Sequence, residues 1–137
     1  MANSKTMNHH VNEGAECPLC AEKLKDAHEE LVNAFEKIKA KWPDCHISWT
    51  FRDQKDQDEF YREGKTKVKW PKSAHNKHPS WAMDLFRLDS DNVAHFDPSY
   101  FKAISDYLIE SLIPIEWAGT WTKFREYDHF QLNPTGE

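Results

Sequence analysis

His46-Ile47-Ser48-Trp49-Thr50-Phe51-Arg52 alternates apolar and polar side chains, placing Ile47, Trp49 and Phe51 on one face. That period of two predicts a half-buried strand, with Arg52 leaving at its end. Before it, Leu24, Ala27, Leu31, Ala34, Phe35, Ile38 and Trp42 recur at steps of three and four residues, with Glu22, Lys25, Glu29, Glu30, Lys37 and Lys39 on the other faces. This predicts one amphipathic helix, ended by Pro43. After the strand, Asp53 can cap a short helix that closes at Gly64, with Phe60 and Tyr61 as its anchors. Lys65 to Trp70 alternates lysine with other residues, as an edge strand or an exposed arm does. Trp81 to Leu88 reads as another strand. Asp97-Pro98 opens a helix whose apolar stripe is Phe101, Ile104, Leu108 and Leu112, stopped by Pro114. Two short strands follow, Ile115 to Trp117 and His129 to Leu132, joined through Gly119 and Trp121. The order predicts an α+β fold: one domain with helices packed on a small, largely antiparallel sheet.

Composition supports one compact domain. The chain has 137 residues, 39% hydrophobic and 30% charged, with only four glycines but six Trp and eight Phe, whose rings supply large buried areas. Eighteen basic against 23 acidic residues give a net charge of -5, which disfavours nucleic-acid binding. No stretch approaches the roughly 20 apolar residues that cross a bilayer, and the opening residues lack the apolar core of a secretory signal. The expectation is a monomer made in the cytoplasm of the producing cell and held there until released. Residues 1–20 read as a polar arm carrying Cys17 and Cys20, and 21–137 as the main domain. A lone Cys-x-x-Cys pair is weak evidence for a second, structural zinc, with His9, His10, His28 and Cys45 as candidates to complete it. Ordinary reduced thiols are the preferred reading.

Two stretches carry chemistry. In residues 73–84, a loop rich in histidine leads into Asp84, an acid set between Met83 and Leu85, where it is costly without a cation or hydrogen bonds. In residues 126–132, His129 opens a strand with acids one and three residues before it. Two imidazoles, a carboxylate and a spare acid suit a catalytic zinc: three protein ligands leave one tetrahedral position for water. Glu126 is the candidate general base.

Ser73-x-His75 followed by Ala82-x-Asp84, with Glu126-x-x-His129-Phe130 near the C-terminus, resembles the zinc peptidase family of D-alanyl-D-alanine carboxypeptidases, dipeptidases and phage L-alanyl-D-glutamate endolysins. The segment from Trp117 to Phe124 is similar to the loop before the last ligand in phage members. The resemblance implies zinc held by His75, Asp84 and His129, with Glu126 as general base. It also implies that Arg52 stabilises developing negative charge or holds a substrate carboxylate, and that Ser73 assists at the substrate. Implied too is a phage or prophage enzyme that cuts L-alanyl-D-glutamate bonds of bacterial peptidoglycan after reaching the wall. The alternatives are a D-alanyl-D-alanine carboxypeptidase or dipeptidase, and a non-catalytic, zinc-stabilised wall-binding module.

Overall fold

The computed structural model describes residues 17–123 and 125–133. Where the periodicity predicts one helix there are two, α1 (Pro18–Leu24) and α2 (Glu29–Lys41). Between them the backbone turns to pair with residue 80: Ser80 N donates to Asp26 O and His28 N donates to Ser80 O. His28 then starts α2, its Nδ1 accepting from Glu30 N at 3.1 Å. These tertiary bonds interrupt a pattern that the sequence alone carries through.

The sheet holds β1 (Cys45–Trp49), β2 (Ala82–Leu88), β3 (Ala94–His95), β4 (Ile115–Trp117) and β5 (His129–Leu132). Its order is β1-β2-β5-β4, with β3 also on β2 and every pair antiparallel. The α+β expectation therefore holds. One face carries Ile47, Met83, Leu85, Ile115, Trp117 and Phe130 into a core shared with Leu31, Phe35 and Ile38 of α2. Phe101, Ile104 and Leu108 of α4 (Pro98–Glu110) join the same core. Asp97 makes no side-chain cap to α4, but a cap contributes only about 1 kcal/mol. Burial of each large apolar side chain contributes about 1.5–3 kcal/mol, so packing holds the helix.

By alternation the other face carries His46, Ser48, Asp84, His129 and Gln131. β1 is thus covered on both faces rather than half-buried: His46 and Ser48 are as buried as Ile47. A register shift after Ile47 brings Trp49 opposite Asp84, and Phe51 falls outside the strand. The free edge of β1 is covered by α1, where Ile47 N donates to Cys20 Sγ at 3.4 Å. Cys17 and Cys20 belong to the main core, and a boundary at residue 20 falls inside α1.

α3 (Gln54–Arg62) is capped by Asp53 as predicted, its side chain accepting from Asp56 N, and closes at Gly64 with φ 75°. Its fully buried residue is Gln57, not Phe60 or Tyr61; Tyr61 is exposed. Residues 65–70 form no strand, in keeping with the exposed-arm alternative. Leu112 is 89% exposed at φ 57°, past the end of α4, so it does not extend the apolar stripe. The loop to β5 begins with a 3-10 turn, Ala118–Thr120, where a Cβ on Gly119 would overlap the Trp117 ring. Among the described residues no helix is long and apolar enough to cross a membrane.

Candidate active site

Asp84 sits mid-sheet on β2, opposite His129 of β5, so strand register alone brings the two side chains together. His75 comes from a 3-10 turn, Ala74–Asn76, and Ser73 fixes that turn. Ser73 Oγ accepts from His75 N at 3.1 Å, while Ser73 N donates to Asn76 Oδ1 at 3.1 Å. The three side chains converge: His75 Nε2 lies 3.1 Å from Asp84 Oδ1 and 3.2 Å from His129 Nδ1, which is 3.2 Å from Asp84 Oδ1. All three residues are buried.

The outward nitrogens fix the tautomers. His75 Nδ1–H donates to Thr50 O at 2.6 Å, and His129 Nε2–H donates to Gln131 Oε1 at 2.8 Å. Gln131 is held in turn, its Nε2 donating to Glu116 Oε1 at 3.0 Å. Both neutral imidazoles therefore aim a lone pair at the same point beside a carboxylate oxygen, an arrangement that calls for a cation. Two nitrogens bound to tetrahedral zinc at about 2.0–2.1 Å lie about 3.3 Å apart, so the observed triangle fits zinc. Burial opposes the His129 imidazolium, but the Asp84 hydrogen bond and charge outweigh it and raise its pKa to about 9. His75 is lowered by burial, against Asp84. Burial also opposes the Asp84 charge, yet His75 and His129 hold that carboxyl well below its ordinary range.

Arg52 supports Asp84 from behind. Its Nη2 donates to Asp84 Oδ2 at 3.3 Å and its Nη1 to Gln57 Oε1 at 3.0 Å. The guanidinium lies 4.2 Å from the centre of the Phe60 ring. Burial lowers its pKa, but guanidinium remains charged in proteins. Asn76 ties the assembly together, Nδ2 donating to Arg52 O at 2.9 Å and to Gln57 Oε1 at 3.1 Å.

Glu126 Oε1 stands 3.7 Å from His129 Nδ1, at the open side of the triangle, and is partly exposed. Burial raises its pKa, partly offset by His129. Asp128 is raised to about 7 by burial, with Asp84 and Glu126 adding to the effect. Glu126 and Asp128 can each place a carboxylate oxygen within 4.8 Å of one on Asp84. His75, Asp84, His129, Arg52, Glu126 and Asp128 line a cleft of about 590 Å³ walled by Phe60, Trp81 and Trp121, with Lys65, Lys72 and Lys77 around it.

The structure thus gathers His75, Asp84, His129, Glu126, Arg52 and Ser73 at one cleft. Sequence reasoning did not identify Gln57, Asn76, Thr50 or Gln131 as supports. Only Gln131 had a signal, its two-residue step from His129 on one strand face. Away from the cleft, Cys17 and Cys20 are grouped with His46, to which the sequence assigned no role. His28 is instead a helix cap, Cys45 is buried apart from the pair's group, and His9, His10 and Phe124 lie outside the described residues.

No family model matches the sequence. The fold is similar to that in the crystal structure of Serratia marcescens L-Ala D-Glu endopeptidase ChiX, which superposes with a TM-score of 0.67. That match covers 82% of this chain and 85% of that one at 24% identity. By sequence the chain is 29% identical over 125 residues to the peptidoglycan L-alanyl-D-glutamate endopeptidase CwlK of Bacillus subtilis (strain 168), covering 80% of this chain and 75% of that relative. Together they bear out the resemblance to the peptidase family that contains the L-alanyl-D-glutamate endopeptidases.

Proposed function

We propose that the chain is a zinc-dependent peptidase that hydrolyses L-alanyl-D-glutamate bonds in peptidoglycan stem peptides. The observation that carries this reading is the convergence of His75 Nε2, Asp84 Oδ1 and His129 Nδ1 on one point open to the cleft. The sequence and fold relationships supply the substrate class. When bound, zinc supplies a Lewis acid that polarises the scissile carbonyl and lowers the pKa of water to about 7.

The remaining work falls to the chain. Thr50 O and Gln131 hold the two imidazoles in their ligating tautomers, and Arg52 keeps Asp84 aimed. Glu126, beside the ligands and less acidic than a free carboxyl, accepts the proton of the attacking water and passes it to the leaving amine. Arg52 adds positive potential where negative charge develops, an effect worth a few kcal/mol in preorganised sites. Ser73 holds the His75 turn at the cleft wall. Lys65, Lys72 and Lys77 suit a stem peptide rich in carboxylates.

Mass spectrometry of digested peptidoglycan, with and without chelator, tests the reading. New N-terminal D-Glu that disappears on chelation supports it. Free D-alanine or its dipeptide would replace it with a carboxypeptidase or dipeptidase, and wall binding without soluble fragments would replace it with a binding module. A phage or prophage lytic setting, with the enzyme made in the cytoplasm, rests on the motif resemblance. It expects lysis of expressing cells only when the inner membrane is permeabilised.

A further inference from the structure

Cys17, Cys20 and His46 are 5%, 2% and 1% exposed, and each can place a ligand atom within 4.8 Å of the other two. None of these atoms belongs to the catalytic cleft. Cys17 caps α1, Cys20 lies one turn on, and His46 comes from the edge strand that α1 covers. From this geometry we infer a second metal site, a structural zinc held by Cys17 Sγ, Cys20 Sγ and His46 Nδ1, that pins α1 to β1.

Three observations carry it. Cys20 Sγ lies 3.6 Å from His46 Nδ1. A sulfur at about 2.3 Å and a nitrogen at about 2.0–2.1 Å from tetrahedral zinc are separated by about 3.6 Å. Backbone donors are aimed at both sulfurs, Cys20 N at Cys17 Sγ at 3.3 Å and Ile47 N at Cys20 Sγ at 3.4 Å, and hold both side chains in place. Lys39, 4% exposed, places its ammonium 3.5 Å from His46 Nε2 and lines the same cleft as the two sulfurs that become anionic on binding. Pro43 O and Cys45 O hold Lys39 at 2.6 and 2.8 Å, so its longer contact to His46 can give way when Nε2 carries the ring proton.

A cleft of about 430 Å³ lined by Cys17, Cys20, Phe35 and Lys39 gives the ion an entry path. Zinc entering displaces two thiol protons to solvent, with no redox change. The described residues supply three ligands, and the fourth position falls to water or to a donor beyond them.

Cobalt(II) separates this site from the catalytic one, which contains no sulfur. The full chain reconstituted with cobalt should show intense near-ultraviolet thiolate-to-cobalt absorption, and with zinc it should hold two ions per chain by elemental analysis. Cys20→Ser should lose the absorption and one ion while still cleaving peptidoglycan, and His129→Ala should lose the other ion and keep the absorption. His46→Gln should shift the visible cobalt bands. Wild-type protein without thiolate-to-cobalt absorption, or with a Cys17–Cys20 disulfide after metal loading under reducing conditions, would overturn the inference without recourse to any variant. An unchanged visible spectrum in His46→Gln would remove His46 from the ligand set.

Discussion

Replacing Gln131 with Met tests whether the site is set by what lies behind its ligands. Gln131 Oε1 is the acceptor, at 2.8 Å, that keeps the proton of His129 on Nε2 and leaves Nδ1 free to ligate. Met fills similar space but offers no comparable acceptor. Loss of such an outer partner of a metal-ligating histidine lowers metal affinity about 10–100-fold, or about 1.4–2.7 kcal/mol. Gln131 is only half-buried, so water can reach the abandoned N–H and the cost falls near the lower end, about tenfold. Zinc affinity is measured by competition with a chromogenic chelator, and kcat/KM on purified peptidoglycan at limiting and saturating zinc. The expected result is weaker zinc binding, lost activity at limiting metal, and recovery at saturation. An affinity within twofold of wild type would show that Gln131 does not set the tautomer.

Glu126→Ala should retain zinc and fold but lose turnover by about 100-fold or more, the scale of general-base catalysis; cleavage at the wild-type rate would reassign the proton carrier, with Asp128 the next candidate. Arg52→Ala leaves Asp84 without its guanidinium and Gln57 Oε1 without one of its two donors. Breaking a buried pair costs about 3–5 kcal/mol, and because Asp84 keeps two imidazoles the low end applies, read as a lower urea midpoint. An unchanged midpoint would refute the supporting role. Burial pushes the Cys45 thiol from its ordinary value of 9.0 to about 12. Between those values the folded chain keeps a proton that the unfolded chain sheds, so stability falls as pH rises from about 9 to about 12. Cys45→Ala should flatten that decline in urea titrations, and identical slopes would show that Cys45 contributes nothing to it.

Most of the fold was legible because its elements carry strong local signals. The apolar-rich runs of β2 and β5, the Asp97-Pro98 start of α4 and the Asp53 cap of α3 each act within a few residues. Misreadings arose where tertiary contacts override local pattern. The helix break at residues 25–28 follows from bonds to Ser80, more than 50 residues away in sequence, and Leu112 fits a stripe of α4 but lies past its end in a left-handed turn. The residues brought to the cleft were legible as types in sequence order, because ligating a metal needs few kinds of side chain. Their supports were not. Thr50 acts through its carbonyl, which any residue has, and Gln57 lies in the Gln54–Glu59 stretch, where every side chain is polar and none marks itself as buried.

Register ties these observations together. Asp84 meets His129 because the two are direct partners between β2 and β5, and it meets Trp49, beside the Arg52 guanidinium, through the shift in β1. A slip of one residue in β2 would turn Asp84 into the apolar core and bring Met83 or Leu85 to the cleft. The register is guarded by the core itself, since Met83 and Leu85 are fully buried with Phe130 and Ile47 on the opposite face. The same apolar contacts that hold the helices on the sheet therefore fix the position of the one carboxylate that both imidazoles share. Met83→Ala tests this link. It should lower stability by about 2–5 kcal/mol through the cavity it leaves. If β2 keeps its register, zinc affinity should stay near wild type in the fraction that remains folded. A variant that stays folded yet loses zinc would show that core packing at Met83, and not strand pairing alone, places Asp84.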